Sequence, residues 1–389
     1  MAAAALVAPL LVLLIFSFFV PIADVMRRAV LDDEIESALP KSAAMLRLWD
    51  RESDPTDAMF TVLGREIQLS ARARTLTGAA RRLNFALENG RSLVMDTGAK
   101  LASMEAEPAS WREVLLDADA QWGQQKTWVA LAHAAGPTTD FYLLTALDLE
   151  RGTGDHIVFR PPPQSLFMAV LQRTFAISAS VTVLCLILGF PLAFFIANAQ
   201  RRTSDLLMIS VLLPLWTSVL VRTAAWTVLL QDNGLVNWII QGLGISSGPW
   251  PLLFHRPGVV IAMMHVQLPF MVLPLVATMK SIPRSYMRAA VSLGAHPAIA
   301  FLRVYLPMTL PGIAAGVLLV FIMCLGYYVT PALIGGPSDQ MLSYFIAFYA
   351  SQSANWGLAA ALGVLLLTAT AILYAVYSRL MGAGQGRFA

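Results

Sequence analysis

Six apolar stretches, at residues 3–22, 174–199, 206–230, 259–279, 311–330 and 356–380, leave this chain few ways to fold. Each is long enough, as an α-helix, to cross roughly 30 Å of hydrocarbon. Hydrophobic residues make up 57% of the chain and charged ones 13%, well outside the balance of a soluble protein. The expected fold class is all-α: a polytopic membrane protein with about six transmembrane helices.

The charges are also segregated. Between residues 23 and 163 lie 21 of the 24 acidic residues and 16 of the 27 basic ones. That segment is therefore net −5, and the remainder is net +8. The excess of base reflects arginines at membrane edges and not a nucleic-acid footprint. Residues 1–22 read as a first transmembrane helix retained in the protein. No base precedes the apolar run, although Pro21-Ile22-Ala23 is a permissive cleavage context. Residues 23–165 form an insert with apolar residues at helical spacing in 75–90 and 111–119, so a small, mostly helical domain is expected there. Asp117 and Asp119, followed by Trp122, read as the end of an amphipathic helix, and Pro161-Pro162-Pro163 marks the return to the membrane.

Lys and Arg set the expected orientation. Arg201 and Arg202 fill one turn; Lys280, Arg284, Arg288 and Arg303 lie between spans four and five; Arg379 and Arg387 follow span six. The opposite loops hold only Arg256. Both termini and the 280–310 loop are therefore expected in the cytoplasm, and the insert outside it. Pro191, Pro214, Pro269 and Pro274 fall within spans, where each removes a backbone hydrogen bond and is expected to kink its helix. Cys185 and Cys324 both sit in apolar runs and read as small buried hydrophobes without a disulfide.

Catalytic chemistry is missing. His133, His156, His255, His265 and His296 are scattered without metal-ligand spacing. A phosphate-cradling loop needs Gly-Lys-Ser/Thr, but the residues before Lys41, Lys100, Lys126 and Lys280 are Pro40, Ala99, Gln125 and Met279. ATP-driven transport would need another chain to bind the nucleotide.

The 280–310 loop is longer than a simple turn requires. Ser281 can cap a helix starting near Pro283. Tyr286, Ala289, Ala290 and Leu293 then share one side, and Gly294 suits a left-handed helix end. His296-Pro297 allows a second short helix ending at Leu306-Pro307. The Ala289-Ala290 pair permits close approach to a partner's groove; an interfacial helix on lipid headgroups is the alternative.

This loop resembles the EAA loop of the integral-membrane subunits of type I ABC importers, the MetI-like permeases. Their signature is Glu-Ala-Ala, three residues, Gly, nine residues, Ile-x-Leu-Pro. Ala289, Ala290, Gly294, Val304, Leu306 and Pro307 match at the same spacing, with Val for Ile, and Arg288 stands at the glutamate position. The stretches PLWTSVLVRT (214–223), QDNGLV (231–236) and TPALIGGP (330–337) resemble the spermidine/putrescine permease branch. Similarity runs from residue 174 to the C terminus, leaving the insert unaccounted for.

The resemblance implies a transporter subunit and not an enzyme, with residues 166–385 as the transporter domain and 280–310 coupling it to cytoplasmic ABC ATPase subunits. It implies a second permease subunit, same or different, an extracytoplasmic solute-binding protein, a bacterial inner membrane, no cofactor on this chain, and a polyamine or similar small solute. Arg222 and its candidate partner Asp232, with Tyr327 and Tyr328, are candidate pathway or gate residues, since a charge within a span normally faces protein or a water-filled cavity. Trp216, Trp226, Trp238, Trp250 and Trp356 read as an interfacial belt. An ion-driven carrier should place Asp or Glu within its spans, and these runs contain none. A membrane-anchored sensor would need a cytoplasmic output module, for which 379–389 is too short.

Overall fold

The computed structural model describes residues 2–152, 156–162 and 164–385, with the side chains of 2–6 and 380–385 excepted; Pro163 and Arg387 lie outside this set. It is helical almost throughout. Among the described residues five helices are long and apolar enough to cross a membrane: Val7–Arg28, Phe167–Asn198, Arg256–Ser281, Pro297–Leu325 and Trp356–Arg379. Arg201–Trp216 with Val219–Leu229 makes a sixth, bent by 100° at the break. The protein is a polytopic helical membrane protein. The chain divides into two compact units, Met1–Ser165 with Asn355–Val364, and Leu166–Ala354 with Leu365–Ala389.

In the first unit short amphipathic helices bury one face each. Asp57–Arg72, Thr77–Ala86, Gly90–Ala102 and Gln125–Ala134 contribute Phe60, Leu63, Ile67, Leu83, Leu93 and Trp128 to one core. Trp122 and Trp128 are fully buried, which strands two indole N–H groups unless each finds an acceptor. Trp122 donates to Thr97 Oγ1 at 2.9 Å, and Trp128 to the Trp122 carbonyl at 2.8 Å. Buried Glu66 accepts from the backbone N–H groups of Lys41 and Ser42 at 2.8 and 2.7 Å, so a distant carboxylate caps the Pro40–Leu48 helix.

The helix end expected around Asp117 and Asp119 is present: the Trp111–Ala118 helix stops at Asp119, whose side chain accepts from Gln121 N at 2.8 Å and starts a 3₁₀ turn that carries Trp122 inward. The insert is mostly helical, with one two-stranded antiparallel hairpin, Leu149–Arg151 with Ile157–Phe159.

The first span runs through Ala23 to Arg28, past the expected boundary at residue 22. It contains Asp24, ion-paired with Arg27 and Arg28, and Asp205 lies in the first half of the broken pair. The helices therefore do carry acids near their ends, where the apolar runs had none.

In the second unit the Phe167–Asn198, Arg256–Ser281 and Pro297–Leu325 helices form the packed centre. Glycines permit close approach: a Cβ at Gly312 would meet Thr278 Oγ1 at 2.6 Å, and one at Gly316 would meet Met271 Sδ at 2.8 Å. Cys185 and Cys324 are buried and free. The four prolines behave differently from one another. Helix continues through Pro191, Pro269 and Pro274, whereas Pro214 lies in a 3₁₀ turn at the 100° break. There Thr217 Oγ1 donates to the Pro214 carbonyl at 2.9 Å, so the chain leaves the helix without stranding that acceptor.

Candidate functional site

The Arg256–Ser281 helix sets the start of the 280–310 segment. Ser281 is its last residue and donates to the Thr278 carbonyl at 2.7 Å, so it does not cap the next helix. Pro283 takes the N-cap position of the Arg284–Ser292 helix without a side-chain bond. No residue of that helix is buried.

At its far end Gly294 has φ +91°, which a side chain would strain. Gly294 N donates to the Val291 carbonyl at 3.0 Å and Ala295 N to the Ala290 carbonyl at 3.1 Å, the paired bonds of a Schellman cap. A Cβ at Gly294 would have open space around it, so the glycine is required by backbone conformation and not by crowding. His296 Nδ1 then accepts from Ala298 N at 3.3 Å and caps the next helix, a role that its place before a proline did not reveal.

The second short helix does not end at Leu306-Pro307 as expected. Pro297–Ala300 passes through a π-helical turn, Phe301–Tyr305, directly into Leu306–Leu325. Leu306 N bonds to the Phe301 carbonyl, so the ladder has already shifted by one residue when Pro307, which has no N–H, arrives. The matched residues consequently divide: Arg288, Ala289 and Ala290 lie on the exposed helix, Gly294 at its cap, and Val304, Leu306 and Pro307 on the emerging span.

Aromatic rings tie that span to its neighbour. Phe301 meets Phe190 and Phe194 edge-on at 6.4 and 5.6 Å, and Tyr305 meets Phe194 at 5.4 Å. The i,i+4 spacing of Phe190/Phe194 and of Phe301/Tyr305 is visible in the sequence but carries no partner assignment. Beside these rings lies a cleft of about 310 Å³ whose lining includes Phe194, Asn198, Lys280, Arg284, Phe301 and Tyr305. Lys280 Nζ donates to Ser204 Oγ at 3.2 Å, linking the fourth span to the third.

Apolar groups project from the 280–310 segment itself: Leu293 is 89% exposed, Tyr286 50% and Val291 44%. Arg288 is exposed and makes no ion pair among the described residues. This surface can bury apolar area against a second protein but offers no acid to a basic partner.

Arg222 sits in the first turns of Val219–Leu229, just after the break. No ion pair to Asp232 forms; Asp232 is exposed in the following turn. Arg222 Nε and Nη1 are buried without a hydrogen-bond partner among the described residues. Trp226 is half-buried against the fourth span, where its Nε1 donates to His265 Nδ1 at 3.1 Å. Trp216, Trp238, Trp250 and Trp356 are exposed. Tyr327 has a buried hydroxyl with no partner among the described residues, while Tyr328 is 44% exposed. Among the described residues no group of His, Cys, Asp or Glu could hold a metal ion.

Comparison with known proteins fits this arrangement. Residues 189–382 match the family of binding-protein-dependent transport system inner membrane components. The spermidine/putrescine transport system permease protein PotB of Haemophilus influenzae is 33% identical over 55% of this chain and 75% of its own length. The inner membrane ABC transporter permease protein YdcU of Escherichia coli is 33% identical over 54% and 71%. The molybdenum transport system permease protein ModB of Mycobacterium bovis is 30% identical over 50% and 73%. The chain belongs to the family of inner-membrane permease components of binding-protein-dependent transport systems.

Proposed function

We propose that this chain forms the translocation pathway of an ATP-driven, binding-protein-dependent importer and exchanges between inward- and outward-facing states. Residues 1–22 begin the first span, 23–165 are an extracytoplasmic insert, and 166–385 are the transporter domain. Both termini and the 280–310 segment face the cytoplasm of a bacterium. Cytoplasmic ATPase subunits bind and hydrolyse ATP, since this chain holds no Gly-Lys-Ser/Thr loop. A second permease subunit and an extracytoplasmic solute-binding protein complete the assembly.

The observation that carries this reading is the exposed Arg284–Ser292 helix, closed by the Gly294 cap. Docked in an ATPase groove, it would transmit closure of that partner to the fifth span, with which the following helix is continuous. Co-purification tests it: wild-type protein retains an ATPase subunit, and Ala289→Asp/Ala290→Asp loses it while the bundle stays folded. Retention by that variant, or uptake with no ATPase present, would contradict the assignment.

The relatives' names favour a polyamine solute. Arg222 supports a second reading, a solute bearing an anionic group, because its guanidinium lacks a carboxylate partner among the described residues and a polycation passing it would be repelled. Uptake of labelled spermidine, competed by unlabelled putrescine but not by molybdate, supports the polyamine; no spermidine uptake, with uptake of labelled molybdate instead, supports the anion.

A further inference from the structure

We propose that the cleft between the end of the Phe167–Asn198 helix and the start of the 280–310 segment binds the headgroup of an anionic phospholipid. Its parts divide as an amphiphile requires. Asn198, Lys280 and Arg284 are exposed at the rim, while Tyr305 and Met279 are buried at the floor, with Phe194 and Phe301 on the walls. The polar rim presents two cations that lack acidic partners. Lys280 bonds only to the Ser204 hydroxyl, and Arg284 makes no hydrogen bond or ion pair among the described residues. No acid lines the cleft, and Asp205, next to Ser204, lies 4.0 Å from Arg201. A phosphodiester supplies the missing charge, and the first methylenes of its acyl chains cover the rings.

Position favours lipid over protein as the occupant. Lys280 is the penultimate residue of the fourth span and Asn198 the last of the second, so the rim stands where hydrocarbon gives way to headgroups. The apolar groups suited to a protein groove, Leu293 above all, lie further out on the short helix. A volume of about 310 Å³ is also around ten times the share of one water molecule in the liquid, too roomy for a lone ion.

Native mass spectrometry of the full-length chain in mild detergent tests this, with equal amounts of dioleoylphosphatidylglycerol and dioleoylphosphatidylcholine added. Wild-type protein retains the phosphatidylglycerol preferentially. Lys280→Gln/Arg284→Gln lowers that preference on the order of tenfold, two cations being removed. Arg202→Gln/Arg379→Gln, which removes two exposed bases elsewhere, leaves it unchanged. Both cleft side chains are exposed, so the first variant spares the packed core. Equal retention of the two lipids, or an equal fall in both double variants, would overturn the proposal. So would displacement of the lipid by inorganic phosphate, which would make this an ion site, or by an ATPase subunit, which would make it a protein contact.

Discussion

Asp32 and Arg82 form an ion pair in the core of the insert, each side chain about 1% exposed. The guanidinium also lies 4.2 Å from the Phe141 ring centroid, and Tyr142 donates to the same carboxylate at 3.3 Å. Removing one partner of such a pair strands the other charge. Asp32→Ala should therefore destabilise the insert by about 3–5 kcal/mol, measured by urea denaturation followed through tryptophan fluorescence; a loss below about 1 kcal/mol would show the pair to be dispensable. Burial, and then the Asp32 charge, push the Tyr142 phenol above its ordinary value of 10.0. Because the folded value is raised, this stabilisation is complete below the unfolded value of 10.0 and is lost as pH rises from there through the folded value. Insert stability should thus show no Tyr142-dependent change between about pH 7 and 9 and should fall only in more alkaline solution, a fall that Tyr142→Phe removes. None of this cluster was legible in the sequence, because residues 32, 82 and 142 converge only through tertiary packing. Gly294 was legible: a glycine closing an amphipathic run needs no distant partner. Gly294→Val should cost about 1–3 kcal/mol of local strain and weaken ATPase retention while leaving global unfolding nearly unchanged. Full retention would remove the cap from the mechanism.

At the scale of elements, the spans could be read because hydrocarbon thickness imposes a length that composition alone reveals. The breaks could not. Pro191, Pro214, Pro269 and Pro274 look alike in sequence, yet only Pro214 lies at a break, and there a hydroxyl three residues on caps the freed carbonyl. The two π-helical turns show another way to absorb a proline. Ile15–Phe19 precedes Pro21 and Phe301–Tyr305 precedes Pro307, each separated from its proline by one residue. In both, the residue before the proline bonds five back, so the proline enters a ladder already in shifted register. That shift is why the expected second coupling helix merges with the fifth span. The Gly316 contact offers a test of packing between the fourth and fifth spans. Gly316→Leu must displace Met271, and should lower the melting temperature in detergent by several degrees; an unchanged melting temperature would mean that the pair separates freely.

For the whole molecule, the second unit carries most of the family's match, and the insert carries most of the chain's acids. The likeness to permeases was legible from 280–310 because its spacing is fixed by a cap and a span entry, both local. The expected pairing of Arg222 with Asp232 fails for the opposite reason: proximity in sequence says nothing about which way the broken span turns. In the proposed function, energy enters from outside the chain, through the helix at Arg284–Ser292. Vesicles containing the assembled transporter and its binding protein, loaded with ATP, put that route to the test through solute uptake. Uptake should stop when Ala289→Asp/Ala290→Asp replaces the native chain, with ATP hydrolysis no longer stimulated by the loaded binding protein. Undiminished ATP-dependent uptake by that variant would show that the helix is not the point of entry.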